Sequence, residues 1–304
     1  MHKNYYLFKA LTIWLNSEIK NFTILECFTF QKSELVLRVM GEEELFLHIS
    51  INPSNPYLTI SESRNIKESK VNLFNELTNQ KIIEIRINDT DKIISIITEL
   101  NVLKSVFFGR TPNIFLYNSN NTEIARFKKA NSESAKIDSS EKLLAATLES
   151  NQIKELIKSN KNVSIIKLLS RNIIGFNYVI SRECCFRSSI DFDKEVSTLS
   201  EIQLEKLCEN IKSINSEFEN PNPIIYFDNE IPKYLVIAKM QHLENDFQSK
   251  TFHSVNDACQ KFIWQSQKSK TFDKIVRQCE SALNNRINFI KKTIDKIEEF
   301  EKLE

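Results

Sequence analysis

The basic residues of the stretch 154–187 are the strongest chemical signal in this sequence. Seven Lys or Arg residues stand there against two acids, whereas the stretch 188–219 holds eight acids and three lysines. The seven are Lys154, Lys158, Lys161, Lys167, Arg171, Arg182 and Arg187. Clustered cations attract phosphate groups because each contact releases counterions. The pattern indicates a nucleic-acid surface, with an ordinary solvated helix face as the alternative interpretation.

A second basic stretch lies at residues 104–129. It holds Lys104, Arg110, Arg126, Lys128 and Lys129 against the single acid Glu123. The whole chain has 41 basic and 40 acidic residues in 304, for a net charge of +1. Any attraction to nucleic acid must therefore come from local patches, not from the total charge.

No motif gathers residues for catalysis or for a metal. The four histidines (His2, His48, His242 and His253) are far apart, and none stands in an HExxH motif. The three glycines, Gly41, Gly109 and Gly175, are too far apart to form a GxGxxG or Walker loop. The six cysteines lack CxxC spacing, so we expect free thiols in a reducing compartment. We predict a protein that is not an enzyme and that uses no cofactor and no metal.

Hydrophobic periodicity assigns the second basic stretch to a β-rich domain. Phe8, Leu11, Leu15 and Ile19 follow helical spacing and predict an amphipathic helix at the start. Alternating apolar residues over 22–51, and again over 81–129, predict two runs of antiparallel strands. Together they predict a sandwich-like pair of sheets with a leading helix, spanning residues 1–130. The polar segment 130–140 predicts a linker.

The remainder of the chain predicts helices, a strand pair and a coiled coil. Short apolar stripes over 142–218 indicate four or five helices in a domain at 141–219, with Gly175 at a turn between two of them. The segments PIIYF and KYLVIAKM predict a strand pair, and a helix is predicted near 255–267. Together they form a predicted unit at 221–268 that packs back on the first domain. The fold class expected is α+β.

The last stretch, 271–304, has the spacing of a coiled coil. Val276, Leu283, Ile290 and Ile297 repeat every seven residues. Its partner helix is expected in a part of the protein that follows this chain. The longest apolar runs are too short to span a bilayer, and the charged first segment does not favour a signal peptide. We therefore expect a cytoplasmic protein without a membrane partner.

Several separated segments resemble the NFACT family of RqcH- and NEMF-like factors, formerly called fibronectin-binding proteins. The segment GRTPNIFL is similar to the family signature G-R-x-S-N-I-x-L, with Gly109, Arg110, Asn113 and Leu116 in register. The opening MHKNYYLFKALTIWL and the order of helix, strands, helical hairpin and coiled coil agree with it. The resemblance implies an NFACT-N domain, a helix-hairpin-helix domain and the start of a coiled coil.

The resemblance also implies which residues contact RNA. The family's Asp-Arg pair, which lies near the tRNA anticodon loop, corresponds to Asp91 and Lys92 or, in a shifted register, begins at Asp89. Lysine keeps the charge but loses the planar fork of arginine. With the basic stretches, the predicted nucleic-acid-binding residues are Asp91, Lys92, Arg110, Asn113, Lys161, Arg171, Arg182 and Arg187.

Three functions are compatible with the sequence. The resemblance implies a quality-control factor that binds tRNA and the large ribosomal subunit carrying peptidyl-tRNA, and that recruits tRNA for C-terminal tailing of stalled chains. The former family name suggests a surface adhesin that binds fibronectin or fibrinogen. A distant similarity of NFACT-N to formamidopyrimidine-type DNA glycosylases suggests a non-catalytic DNA-binding relative, because the start Met1-His2-Lys3 lacks the proline and glutamate of those enzymes.

Overall fold

A computed structural model describes residues 4–62, 70–88, 93–107, 111–129, 143, 145, 149–160 and 163–301. It confirms the predicted α+β class, with a leading helix, antiparallel sheets, a helical region and a long C-terminal helix. The predicted linker at 130–140 lies outside the described residues.

The described part of the first half contains one α-helix and ten strands. They are α1 (Tyr5–Ile19), β1 (Thr23–Gln31), β2 (Glu34–Met40), β3 (Glu44–Ser50), β4 (Tyr57–Ser61), β5 (Val71–Asn72), β6 (Ile82–Ile87), β7 (Ile93–Thr98), β8 (Asn101–Val106), β9 (Asn113–Asn118) and β10 (Glu123–Arg126). Sheet 1 has the antiparallel order β4-β3-β2-β1-β5, and sheet 2 the order β10-β9-β8-β7-β6. The strands β4 and β5 were not predicted.

The two sheets turn their inner faces toward one core. Leu35, Leu37 and Val39 of β2 and Ile94 and Ile96 of β7 belong to the same buried cluster. Each of these side chains is at most 1% exposed. Burying a side chain of this size stabilises the fold by about 1.5–3 kcal/mol. The alternation in the sequence therefore produces the sandwich-like packing that was predicted.

Helix α1 packs against two cores at once. It begins after Asn4, whose side-chain oxygen accepts a hydrogen bond of 2.7 Å from the backbone nitrogen of Tyr6. Phe8 and Leu15 enter the core between the sheets, whereas Tyr6 and Leu11 enter the core of the helical region. A helix that is apolar on most sides is buried on most sides. The helix therefore joins the two halves of the protein.

The helical region consists of α2 (Ser150–Ser159), α3 (Ile165–Asn172), α4 (Tyr178–Arg187) and α5 (Glu201–Glu219). Polar side chains define two of the helix starts. Asn177 accepts hydrogen bonds from the backbone nitrogens of Val179 and Ile180, and Ser200 accepts one from that of Gln203. Such caps satisfy backbone donors that a helix start leaves open.

The turn between α3 and α4 depends on Gly175. Its φ is +78°, a conformation that favours glycine. A Cβ atom at this position would lie 2.6 Å from a ring carbon of Tyr6. The side-chain nitrogen of Asn4 also donates a hydrogen bond of 3.1 Å to the carbonyl oxygen of Gly175. The start of α1 is therefore seated directly against this turn.

The strands β11 (Ile224–Asp228), β12 (Ile231–Val236) and β13 (Gln248–Thr251) form a third sheet in the order β12-β11-β13. The predicted pair thus has a third strand. Beyond it, the side chain of Asn256 donates to the carbonyl oxygen of Ile60 at 3.1 Å and accepts from its backbone nitrogen at 2.9 Å. Because Ile60 lies on the edge strand β4, Asn256 satisfies backbone groups that the sheet leaves open.

The C-terminal helix α6 (Val255–Glu301) is continuous over 47 residues. The helix predicted near 255–267 and the coiled-coil stretch predicted from 271 both lie within this one helix. The helix contains neither glycine nor proline, so nothing in it favours a break. Its first turns are buried, whereas Leu283 and Ile290 of the heptad stripe are 64% and 46% exposed. No helix among the described residues is long and apolar enough to cross a membrane.

Replacing Gly175 tests the contact between α1 and the α3–α4 turn. We expect Gly175→Ala to lower the free energy of unfolding by about 2 kcal/mol, because a Cβ meets Tyr6 and the φ is positive. Denaturant unfolding measures this change. Ser189→Gly is the control, since Ser189 also has a positive φ of 55° and glycine there relieves strain. A loss below about 0.5 kcal/mol for Gly175→Ala would contradict the contact.

Candidate nucleic-acid interface

The strand ends that flank the predicted RNA-binding residues Asp91, Lys92 and Arg110 lie at one end of sheet 2. Ile93 pairs with Val106, and Val106 pairs with Asn113. The β6–β7 and β8–β9 connections therefore leave the sheet at the same end. Asp91, Lys92 and Arg110 stand in these connections but lie outside the described residues, as does Gly109.

Asn113 serves the structure of this end instead of presenting its side chain to solvent. It is 2% exposed. Its side-chain oxygen accepts a hydrogen bond of 2.8 Å from the backbone nitrogen of Lys128, and its side-chain nitrogen donates one of 3.0 Å to the Lys128 carbonyl oxygen. The predicted contact of Asn113 with nucleic acid does not fit this burial. Asn113 fixes the segment that carries Lys128 and the exposed Lys129.

Lys128 and Lys129 add positive charge at the end of sheet 2 where the two turns begin. The Lys128 ammonium group lies 3.4 Å from the carbonyl oxygen of Pro112, and partial burial lowers its pKa. Lys129 is exposed. Both belong to the second basic stretch, but the sequence did not single them out, because their position depends on the pairing of β9 with β10.

The helical region presents its basic residues in different ways. Lys167 and Arg171 stand four residues apart on α3, and both are exposed. The guanidinium carbon of Arg182 lies 4.3 Å from the centroid of the Phe192 ring and 5.5 Å from that of Tyr178, which is a cation–π arrangement. Lys161 lies outside the described residues. Arg171 is thus accessible, whereas Arg182 is stacked on aromatic rings.

Arg187 was predicted to contact nucleic acid, but its side chain is paired inside the protein. Its side chain is 10% exposed, and its guanidinium group donates to the carboxylate of Glu183 at 2.7 Å. It forms a second ion pair with Glu217 of α5 and donates to the carbonyl oxygen of Lys239 at 2.9 Å. Because two carboxylates already neutralise it, Arg187 is not available to a phosphate. It joins α4, α5 and the segment after β12.

Glu183 is the centre of this buried network. Its side chain is 0% exposed, and that of His242 is 2% exposed. Nδ1 of His242 lies 2.6 Å from a carboxylate oxygen of Glu183. The backbone nitrogens of Gln241 and His242 donate to the same carboxylate at 2.9 and 3.1 Å. Burial raises the pKa of Glu183, but hydrogen bonds from His242, Arg187 and these backbone groups together lower it.

A third basic surface lies on α6 and was not singled out from the sequence. Residues 261–292 hold eight basic and two acidic residues. Trp264 is 57% exposed, and the ammonium groups of Lys261 and Lys268 each lie 5.3 Å from the centroid of one of its rings. The heptad pattern identifies the apolar residues of this helix and gives no information on its charge.

A polar row crosses the outer face of sheet 1. Nδ1 of His48 lies 3.0 Å from Glu34, and Nε2 of His48 lies 2.9 Å from the hydroxyl oxygen of Ser61. This is the order of groups in a hydrolase triad. Here, however, Glu34 also accepts hydrogen bonds from Tyr57 and Gln31. We interpret the row as satisfying buried polar groups of the sheet.

The fold and these surfaces define an α+β protein in which a two-sheet domain and a helical region are joined by one helix and a basic helix extends beyond them. The family model described as NFACT N-terminal and middle domains matches residues 5–303. The chain belongs to the NFACT family. This match confirms the resemblance that the segment GRTPNIFL carried in the sequence.

Two solved structures share the fold. The fibrinogen-binding protein from Staphylococcus aureus is 16% identical with a TM-score of 0.67, and the match covers 85% of this chain and 97% of that chain. The N-terminal part of the fibronectin/fibrinogen-binding protein from Streptococcus suis is 17% identical with a TM-score of 0.65, covering 86% and 99%. At these identities the likeness shows the fold alone. No curated protein matches the sequence.

Replacing Glu183 tests the buried network. We expect Glu183→Gln to lower the free energy of unfolding by about 2–4 kcal/mol, because Arg187 and His242 lose a buried charged partner. Denaturant unfolding at pH 7 measures this. Glu205→Gln, at an exposed position of α5, is the matched control and should change stability by less than about 0.5 kcal/mol. Equal effects of the two variants would contradict a stabilising network.

The same network predicts a pH dependence. The folded-state pKa of Glu183 lies below its unfolded value of about 4.3, so its contribution is present above that value and is lost as the pH falls through the lower folded pKa. We expect the difference in unfolding free energy between the wild type and Glu183→Gln to shrink as the pH falls below about 4. A difference that stays constant from pH 7 to pH 3 would contradict this assignment.

Proposed function

We propose that this chain binds tRNA and the large ribosomal subunit carrying peptidyl-tRNA, as a factor of ribosome-associated quality control that does not itself catalyse a reaction. Membership of the NFACT family over residues 5–303 carries this proposal. Its role in that process would be to recruit tRNA for tailing of the stalled chain.

The positions of the described cations support the proposal. Lys129 lies at the end of sheet 2 from which the connections with Lys92 and Arg110 leave, and Arg171 is exposed on the helical region. Phosphate contacts of this kind position a protein on RNA without reading sequence. Arg187 has no part in this surface, because its charge is paired internally.

The basic helix α6 supports the ribosomal part of the proposal. Its 47 residues extend over about 70 Å, at about 1.5 Å per residue. Eight basic residues stand against two acids along residues 261–292. A helix of this length and charge suits contact with ribosomal RNA at a distance from the site where tRNA is held.

Charge reversal tests the sheet-2 end. We expect the triple variant Lys92→Glu, Arg110→Glu, Lys129→Glu to lose co-sedimentation with large ribosomal subunits at physiological salt. The slope of log affinity for tRNA against log salt should fall by about two, because each lost single-strand phosphate contact removes about 0.7. Lys32→Glu, exposed in the β1–β2 turn of sheet 1, is the control. Crosslinking in cells followed by sequencing identifies the bound RNA.

Two results would contradict the proposal. One is recovery of no tRNA or large-subunit RNA in the crosslinked fraction. The other is a triple variant that sediments with subunits as the wild type does across the salt series. Both measurements use the whole chain, and the thermal unfolding of each variant shows whether its fold is intact.

Binding of fibrinogen or fibronectin is a second candidate function. It rests on the names of the two proteins with the same fold. Retention of the purified chain on immobilised fibrinogen, together with its presence outside intact cells, would support this function. Retention on large ribosomal subunits without retention on fibrinogen would favour RNA binding.

A further inference from the structure

A row of directly paired residues crosses all five strands of sheet 2. Arg86 of β6 pairs with Ser95 of β7, and Ser95 pairs with Lys104 of β8. Lys104 pairs with Phe115 of β9, and Phe115 pairs with Arg126 of β10. Side chains of directly paired residues point to the same face of a sheet. Leu103, Ile114 and Leu116 enter the core between the sheets, so this row lies on the outer face.

The row places a cation on every second strand. Neighbouring strands lie about 4.8 Å apart, so Arg86, Lys104 and Arg126 follow one another at about 10 Å and the row spans about 19 Å. The Arg86 side chain is 65% exposed and that of Arg126 is 32% exposed. The sheet therefore presents a line of three cations on its outer face.

Among the residues that the structure describes, the acids of this face lie to one side of the row. Glu84 approaches Arg86 at 3.8 Å, and Glu123 approaches Arg126 at 2.5 Å. Glu84 pairs across the strands with Ile97, and Glu123 pairs with Tyr117, so both belong to the next row away from the turn end. On the opposite side of the row lies the end of the sheet with Lys128. Among the described side chains, positive charge therefore increases toward the turn end.

Two aromatic rings lie beside the middle cation. The ammonium group of Lys104 lies 4.4 Å from the centroid of the Tyr117 ring, and its nitrogen lies 3.1 Å from the side-chain oxygen of Asn121. The Phe115 and Tyr117 centroids are 6.4 Å apart, and the guanidinium carbon of Arg126 lies 5.7 Å from the Phe115 ring. Tyr117 is partly exposed, whereas Phe115 is 8% exposed and supports it.

We propose that the outer face of sheet 2 binds unpaired RNA, with a base stacked on Tyr117 and phosphates on Arg86, Lys104 and Arg126. A base that takes the place of Lys104 over the ring frees the ammonium group for a phosphate. Stacking on an aromatic ring requires an unpaired base, because bases inside a duplex already stack on one another. Rings beside a line of cations on an open sheet thus favour single strands over a duplex.

This inference deepens the proposed function by naming the class of RNA that one surface takes. A strand leaving the row toward the turn end meets Lys128 and Lys129 next. The face would therefore hold the unpaired part of a folded RNA while the turn end and the helical region contact phosphates elsewhere.

Fluorescence anisotropy with an oligouridine of about ten nucleotides tests the stacking, with an RNA duplex of about 16 base pairs as the second probe. We expect Tyr117→Phe to keep the affinity for oligouridine within about twofold, because the ring is retained. Tyr117→Leu keeps apolar area without a ring, and we expect it to weaken oligouridine binding about tenfold, which is about 1.4 kcal/mol. Duplex binding should change by less than about twofold.

A charge variant tests the same face without altering the rings. We expect Lys104→Gln to lower the slope of log affinity against log salt by about 0.7 for oligouridine. Lys233→Gln is the matched control, since Lys233 on β12 is 42% exposed at its side chain and lies outside sheet 2. Thermal unfolding of each variant is measured beside the binding.

The outcomes separate this inference from the proposed function. Unchanged oligouridine binding in folded Tyr117→Leu and Lys104→Gln would overturn the inference, and the proposed function would stand if large subunits were still bound. Equal losses for oligouridine and duplex would also overturn it. Tighter binding of an acidic peptide of aspartate and glutamate than of oligouridine would assign the face to a protein partner, against the inference. Absence of RNA binding by the wild type would overturn both the inference and the proposed function.

Discussion

The fold depends on one helix that fills two hydrophobic cores. Helix α1 sends Phe8 and Leu15 between the sheets and Tyr6 and Leu11 into the helical region. Neither core is complete without it, because all four side chains are at most 8% exposed. A protein interior is packed as densely as an organic crystal, so a shift of α1 would disturb both cores. The helix therefore sets the position of the sheets relative to the helical region, together with Gly175 at its start.

Much of this architecture could be predicted from the sequence because the relevant signals are local. Alternation marks β2 and β7, whose Leu35, Leu37, Ile94 and Ile96 enter the core between the sheets. The strand β4 was missed, since its residues Tyr57, Leu58, Thr59 and Ile60 are all buried and do not alternate in burial. Tyr57 packs with the helical region and Ile60 with the sheets, while Asn256 covers the edge. Contacts that distant in sequence leave no periodic pattern in a five-residue strand.

The candidate site was predictable in its charge but not in its accessibility. A count of cations weighs Arg187 and Arg171 equally, although the first is paired with Glu183 and Glu217 and the second is exposed. The partner Glu217 stands 30 residues away, on another helix. Asn113 was misjudged for the same reason, because its hydrogen bonds to Lys128 exist only once β9 and β10 are paired. Motif and charge identify a stretch, whereas the fold decides which of its side chains remain available.

The near-neutral total charge does not determine the charge at any one surface. Glu183 and Glu217 both pair with Arg187, so none of these three charges is fully available to a partner. At physiological salt, charges interact over a Debye length of about 8 Å. The cations of the sheet-2 row are about 10 Å apart, so each one acts on its nearest phosphate, nearly independently of the total charge. A net charge of +1 is therefore compatible with strong local attraction, and it limits non-specific attraction to other nucleic acids at a distance.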